Sequence, residues 1–323
     1  MEEGYKESWK NWLKPIYDEA KTYLDKLADR IIFLGRIKDN LTVVDAGTGL
    51  GLIGFRVFKK FKNLNVIAID KDKECLNYCR EIIEKNNIRE NYKLIDAAID
   101  EKIPLEDCSA DRILERAVTM YCVNKQNVLN EYYRILKKDS QISLFDVIFY
   151  DKTFRIYDYL NPKITKNYEF YKAVEDKVRN EFYDPLTNFD EKTLKNDLKS
   201  AGFKNICIFK IKDYEFWRCS EKLEDVNLFY YGLPHVFSLK EKFLKYMTDE
   251  QFKIYYNEVE KQLKNKKIKY YGFLLFITAL KTPSFLSKME FFFTNFKFLF
   301  SYVLIKKLRS KINFLFKLGY DYY

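Results

Sequence analysis

Histidine is almost missing from this chain of 323 residues: His235 is the only one. The six cysteines (Cys75, Cys79, Cys108, Cys122, Cys207 and Cys219) include no CxxC pair. Together these scarcities argue against a zinc site, whose usual ligands are imidazole and paired thiolates, and no metal is expected. The first residues, MEEGYKESWK, are acidic and hold no apolar run of the kind that marks a secretory leader. The expected compartment is therefore the cytoplasm, where disulfides are disfavoured. No long hydrophobic stretch is present either. The most apolar run, Phe291 to Ile305, is fifteen residues long and is broken by Thr294, Asn295 and Lys297, too short and too polar to span a bilayer. No internal repeat and no nucleic-acid recognition module accompanies the net charge of +10, whose lysines are spread along the chain. A nucleic-acid partner is accordingly disfavoured.

Apolar residues at 47% and charged residues at 32% place the chain among globular proteins. Its length suffices for one large domain with insertions or two smaller ones. Short apolar strands alternate with helical patterns of about a dozen residues: LTVVDA, NVIAID, YKLIDA, RILERA and QISLFDVI are separated by segments with 3.6-residue apolar spacing. Such alternation predicts a doubly wound α/β sheet of the Rossmann-like kind. KKDSQ, from Lys137 to Gln141, reads as a turn before the fifth strand. Asp190 is a candidate N-cap for a later helix that Gly202 stops, and Thr248 with Gln251 can form a capping box. Strand YYGFLLFITAL ends at Pro283. The expected organisation is a helical cap at 1–39, a catalytic domain at 40–283 with insertions at about 149–190 and 215–268, and a basic aromatic tail at 284–323.

Glycine is scarce too, ten in all, yet four (Gly47, Gly49, Gly51 and Gly54) fall within eight residues, directly after a strand that ends on Asp45. Glycine is needed where φ turns positive or where a ligand must lie against the backbone, and a strand-to-helix turn also presents main-chain N–H groups. A ligand is therefore expected at this turn. Its GLGLIG stretch, with Asp70 twenty-one positions after Gly49, also satisfies the spacing of a nicotinamide-dinucleotide motif. Asp45, two places before the first glycine, and the polar corner Asp96-Ala97 after the third strand point elsewhere: Asp45 is placed to meet a cationic amino group.

VVDAGTGLG, VIAIDKD, LIDAA and the span from Asp111 to Ile148 resemble, in order, the motifs of the class I S-adenosylmethionine-dependent methyltransferases. The resemblance covers about residues 40–150, and more loosely 190–213 and 268–283. It departs where Asp139-Ser140 replaces the usual Gly-Gly before the fifth strand. What it implies is a seven-stranded, mostly parallel sheet whose last strand is antiparallel, with S-adenosylmethionine as cofactor. By position, the backbone of Gly47, Thr48, Gly49 and Gly51 would cradle the methionine portion, with Asp45 near its α-ammonium. Asp70 would accept both ribose hydroxyls and Lys71 would lie beside the adenine. Asp96 would take the adenine amine while the Ala97 N–H meets a ring nitrogen. For Asp70 and Asp96 the plainer alternatives are a helix N-cap and a loop aspartate. Arg116 would touch the cofactor carboxylate or the substrate, its alternative being an ion pair with Glu115 or another surface acid. Tyr121 and His235 are the candidate catalytic side chains, His235 as the only imidazole available for base catalysis near neutral pH.

The resemblance implies methyl transfer to an O, N or C atom of a small molecule or short peptide, an activity suited to specialised metabolism. An RNA-modifying methyltransferase and a NAD-dependent oxidoreductase are the competing readings. Aromatic residues of the insertions, Trp217 among them, would line an apolar acceptor pocket. The tail carries seven Lys or Arg against two acids from Pro283 onward. It is read first as a cover for the sheet or a dimer contact, and second as a basic amphipathic helix at an anionic membrane surface.

Overall fold

The computed structural model describes residues 8–149, 155–181, 185, 190–218, 239–263 and 268–316. Two helices, α1 (Trp9–Glu19) and α2 (Lys21–Leu34), precede the first strand. Then β1 (Thr42–Ala46), α3 (Leu52–Lys60), β2 (Asn65–Asp70), α4 (Lys73–Lys85), β3 (Tyr92–Asp96), β4 (Ala110–Arg116), α5 (Lys125–Ile135) and β5 (Leu136–Phe149) follow in order. The second half supplies α6 (Tyr168–Glu181), α7 (Glu191–Ser200), β6 (Lys204–Arg218), α8 (Leu239–Phe243), α9 (Asp249–Leu263), β7 (Ile268–Leu280) and α10 (Phe285–Phe316).

The strands form one seven-stranded sheet in the order β3-β2-β1-β4-β5-β7-β6. Strands β1 to β5 are mutually parallel, and β7 is wedged antiparallel between β5 and β6. Chain order reverses between β1 and β4, and at that switch point the carboxyl ends of the strands leave a crevice.

Each sheet face buries its own core. On one, Val44, Ile113 and Ile142 pack with Val128 and Tyr132 of α5 and with Leu194 and Leu198 of α7. On the other, Val43, Ala68, Leu114 and Phe276 meet Ala28 and Ile31 of α2, Val57 of α3 and Phe298 of α10. Removing one such large apolar side chain from water contributes about 1.5–3 kcal/mol. A third core lies away from the sheet, where Tyr171 and Val178 of α6 meet Phe243 of α8 and Tyr255 and Val259 of α9. The rings of Tyr171 and Tyr255 stack with centroids 4.3 Å apart. The two insertions, far apart in sequence, thus share one apolar centre.

Local signals place several boundaries. Asp190 caps α7 through a reciprocal bond with Thr193. The Thr248 N–H donates to Gln251 Oε1 at 2.8 Å and the Gln251 N–H to Thr248 Oγ1 at 3.2 Å, completing the capping box before α9. KKDSQ differs from expectation: it is a bulge inside β5, not a turn before it. The β4 register jumps from Leu136, opposite Ala110, to Gln141, opposite Arg112. Asp139 takes a positive φ of 60°, and its main-chain N–H donates to Lys281 O. The polar loop survives because β7 and the start of α10 supply its partners.

Candidate active site

A cavity of about 170 Å³ opens at the β1/β4 switch point. Its floor is the glycine turn. Gly47, Gly49 and Gly51 all have positive φ (64°, 52° and 80°), the region where an L side chain is strained. A Cβ on Gly47 would collide with Val118, whereas one on Gly49 would project against Leu13 Cδ1 at 3.0 Å, filling space that the cavity uses. Gly47, Thr48 and Gly49 line the cavity; Gly51 does not, and instead starts α3, where a Cβ would strike Phe55. Two main-chain donors of the turn are already committed. The Thr48 N–H donates to Ile69 O at 2.9 Å, and the Gly49 N–H to Asp70 Oδ2 at 2.7 Å. The turn's contribution is close approach more than free donors.

Asp70, at the tip of β2, lines the same cavity. Its Oδ1 accepts the Asp72 N–H at 2.9 Å, so each carboxylate oxygen holds a main-chain bond, and the Lys71 main chain interacts with it as well. It is not the N-cap of α4: that role falls to Asp72, whose Oδ1 accepts from Glu74 and Cys75. Burial raises the Asp70 carboxyl above its ordinary range, and the bonds from Asp72 and Gly49 oppose that shift.

Asp45 is buried behind the turn. Its Oδ2 accepts the Thr48 hydroxyl at 2.6 Å and the Gly54 N–H at 2.9 Å, tying the end of β1 to the start of α3. Gly54 has no room for a Cβ, because the Tyr92 hydroxyl and Asp45 Oδ2 stand in its place. Burial pushes Asp45 up to about 6 from 3.8, against the pull of those two bonds. Between about pH 4 and pH 6, then, the folded chain holds a proton there that the unfolded chain has lost, and stability falls as pH rises through that window. Two units correspond to roughly 3 kcal/mol. Asp45→Asn should erase this slope. Its melting temperature relative to the unsubstituted protein should climb between about pH 4 and pH 7; a constant difference across that range would refute the assignment.

The third strand's corner needs two corrections. Along β3, Tyr92 and Ile95 are buried on opposite faces of the sheet, whereas Lys93 and Asp96 are exposed. Asp96 is exposed, lies 3.8 Å from Lys73 Nζ and does not line the cavity. Ala97 does line it, but its N–H donates to Asp70 O at 3.1 Å, extending the β2–β3 pairing, and is not free for a ring nitrogen. The carboxylate this loop brings to the cavity is Asp100, which the sequence reading missed, with Ile99 beside it and Lys71 from the adjoining loop.

At the end of β4, neighbouring residues point opposite ways. Arg116 lines the cavity, where its Nη2 lies 3.5 Å from the Tyr17 hydroxyl and its guanidinium 5.7 Å from the Tyr17 ring. Glu115 is wholly buried on the other side and makes no ion pair with Arg116 among the described residues. It accepts from the Thr119 N–H (2.6 Å), the Thr119 hydroxyl (2.7 Å) and the Tyr132 hydroxyl (2.7 Å). These bonds hold the short 3₁₀ turn Thr119–Tyr121, which delivers Tyr121 and Cys122 to the cavity wall.

The roof is α1. Trp9, Leu13, Ile16 and Tyr17, on one helical face, line the cavity, and the Trp9 ring lies 5.0 Å from that of Tyr121. The helix is latched at its start, where the Trp9 N–H donates to Asp72 Oδ2 at 2.6 Å and the Ser8 hydroxyl to Glu74 Oε2 at 2.7 Å. His235 lies outside the described residues, as does the side chain of Trp217. No cluster able to hold a metal ion occurs among the described residues.

Asp70 at a strand tip, a glycine turn that admits close contact, and three carboxylates (Asp45, Asp70, Asp100) against two cations (Lys71, Arg116) in one crevice suit a ribose-bearing sulfonium cation. Residues 37–202, just over half of the chain, match a family model described as a methyltransferase domain (Methyltransf_31). Malonyl-(acyl-carrier protein) O-methyltransferase of Yersinia pestis is 29% identical over 121 residues, 38% of this chain and 42% of that one. Ribosomal RNA small subunit methyltransferase G of Acetivibrio thermocellus is 31% identical over 105 residues, 31% of this chain and 43% of that one. The matched region thus spans about two fifths of these curated relatives. Among solved structures, a Haemonchus contortus phosphoethanolamine N-methyltransferase 2 in complex with phosphomonomethylethanolamine and S-adenosylhomocysteine is similar, with a TM-score of 0.48 and 15% identity, over 78% of this chain and 52% of that one. On the strength of the family match, the chain belongs to the methyltransferase-domain family, the class I S-adenosylmethionine-dependent methyltransferases.

Proposed function

We propose that this protein transfers the methyl group of S-adenosylmethionine to an O, N or C nucleophile of a small molecule or short peptide. One observation carries the reading: the Asp70 carboxylate and the Gly47–Gly49 turn face a single cavity, which Arg116 and Tyr121 close on the far side. When bound, the cofactor supplies a methyl on a sulfonium, whose leaving group is already good. The chain's own residues then have to align and shield. Asp70 would accept the ribose hydroxyls, and Thr48 and Gly49 would let the methionine portion lie against the backbone. Arg116, held beside Tyr17, is placed for a carboxylate of the cofactor or of the acceptor. Tyr121 stands at the wall where an acceptor would enter.

The roof favours a small acceptor. Trp9, Leu13, Ile16 and Tyr17 of α1 line the cavity with apolar surface, excluding water and leaving little room for a folded macromolecule. Calorimetry with S-adenosylhomocysteine and with NAD tests the cofactor: binding of the first alone is expected, and binding of NAD alone would overturn the proposal. Strong, salt-dependent retention of RNA would move the acceptor to that class.

A further inference from the structure

Helix α10 has two unlike faces. Its inner face packs on the sheet: Phe298 sits 5.0 Å from the Phe209 ring and 5.3 Å from the Phe276 ring. Asn295 accepts the Thr278 hydroxyl at 3.0 Å, and Phe291 is buried beside them. Opposite, Phe285, Leu286, Phe292, Phe293, Phe296 and Phe300 are each more than half exposed. Scattered exposed apolar side chains need no explanation, but six of this size along four turns of one helix form a continuous patch.

The direction of the helix adds a second observation. It starts at the amino edge of the parallel strands, where Asp139 and Arg36 meet Ser284 and Ser287. It then climbs along β7 from Thr278, which pairs with Ser143, to Phe276, which pairs with Phe145. Phe145 also pairs with Arg116, so by Phe298 the helix has reached the level at which the cavity opens. The residues from 299 to 316 carry it about 27 Å further at ~1.5 Å per residue. Charge supplies the third observation: between Phe291 and Tyr320 there are six Lys or Arg and no Asp or Glu.

We propose that α10 docks on an anionic lipid surface, lying along it through the exposed aromatic face, with the cationic end beside the acidic headgroups. No helix among the described residues is long and apolar enough to cross a membrane, so the helix lies on the surface and does not span it. Charge of one sign favours lipid over a second copy of the chain: a self-complementary contact needs acids opposite these cations, and this stretch has none.

The full chain should be tested by co-sedimentation with vesicles of phosphatidylcholine alone and of phosphatidylcholine with phosphatidylglycerol. Binding to the anionic vesicles only, reversed by salt, is expected. A triple Phe292→Gln, Phe296→Gln, Phe300→Gln variant and a double Lys306→Glu, Lys307→Glu variant should each bind roughly tenfold more weakly or worse. Both should keep S-adenosylhomocysteine binding, which shows that they fold. If the anionic vesicles capture nothing at low salt, or the variants bind as well as the parent, the proposal fails. A dimer in ultracentrifugation that the phenylalanine variant dissolves, with no vesicle binding, would also overturn it and assign the face to a second copy.

Discussion

Replacing Asp70 by alanine is expected to weaken S-adenosylhomocysteine binding by roughly two to three orders of magnitude while leaving the chain folded. Hydrogen bonds to a charged acceptor contribute about 1.5–3 kcal/mol each, and two ribose hydroxyls would share this carboxylate. In the structure Oδ2 accepts the Gly49 N–H and Oδ1 the Asp72 N–H, with a further main-chain interaction from Lys71, and the ribose hydroxyls would share the same two oxygens. Alanine would also release those two donors, but they stand at a cavity edge that water reaches, so the cost in stability should stay near 1 kcal/mol. Asp70→Asn keeps one acceptor oxygen and should lose about tenfold. Calorimetry reads the affinity and thermal melting reads the fold. Affinity of Asp70→Ala within about threefold of the parent would show that the ribose is gripped elsewhere.

Asp70 could be placed from sequence because three local signals coincide: an apolar strand, an acidic residue at its end, and the interval back to the glycine turn. Strand order needed more, namely the resemblance, since periodicity marks the strands without saying that β7 wedges between β5 and β6. The capping pairs Asp190–Thr193 and Thr248–Gln251 were legible for the same reason as Asp70, being contacts between residues three apart. Where the reading slipped, the deciding interaction was not local. Asp96 and Asp100 are acids four residues apart, and only the path of the chain beyond β3 leaves the first exposed and brings the second to the cavity. Ala97 lost its expected role because its N–H is claimed by Asp70 O across the sheet. The cavity roof shows the limit most clearly. The apolar spacing of Trp9, Leu13, Ile16 and Tyr17 marks an amphipathic helix, but nothing in it names the surface that the helix will cover.

Glu115 and Arg116 show strand alternation deciding a site, with a large energetic consequence. In a strand, successive side chains point to opposite faces, so only one of the pair can reach the cavity. Glu115 is the one turned inward, beside Asp146, whose Oδ2 has no partner among the described residues. Burial raises both carboxyls, and the nearness of Glu115 raises Asp146 further. Glu115→Ala would strand the Thr119 N–H and the Tyr132 hydroxyl in a dry interior, and the relief given to Asp146 offsets only part of that penalty. The expected loss is about 3 kcal/mol. Glu115→Gln, which keeps the shape and one acceptor, should lose less. Its pH dependence separates charge from packing. A carboxyl whose folded value is raised contributes most at low pH and loses that contribution as pH climbs through the folded value. Glu115→Gln should therefore gain on the parent as the medium is made more alkaline, whereas Glu115→Ala stays less stable throughout. Denaturant unfolding in acid and in mild alkali measures both. If alanine costs no more than glutamine, the buried carboxylate is not what holds the turn that carries Tyr121.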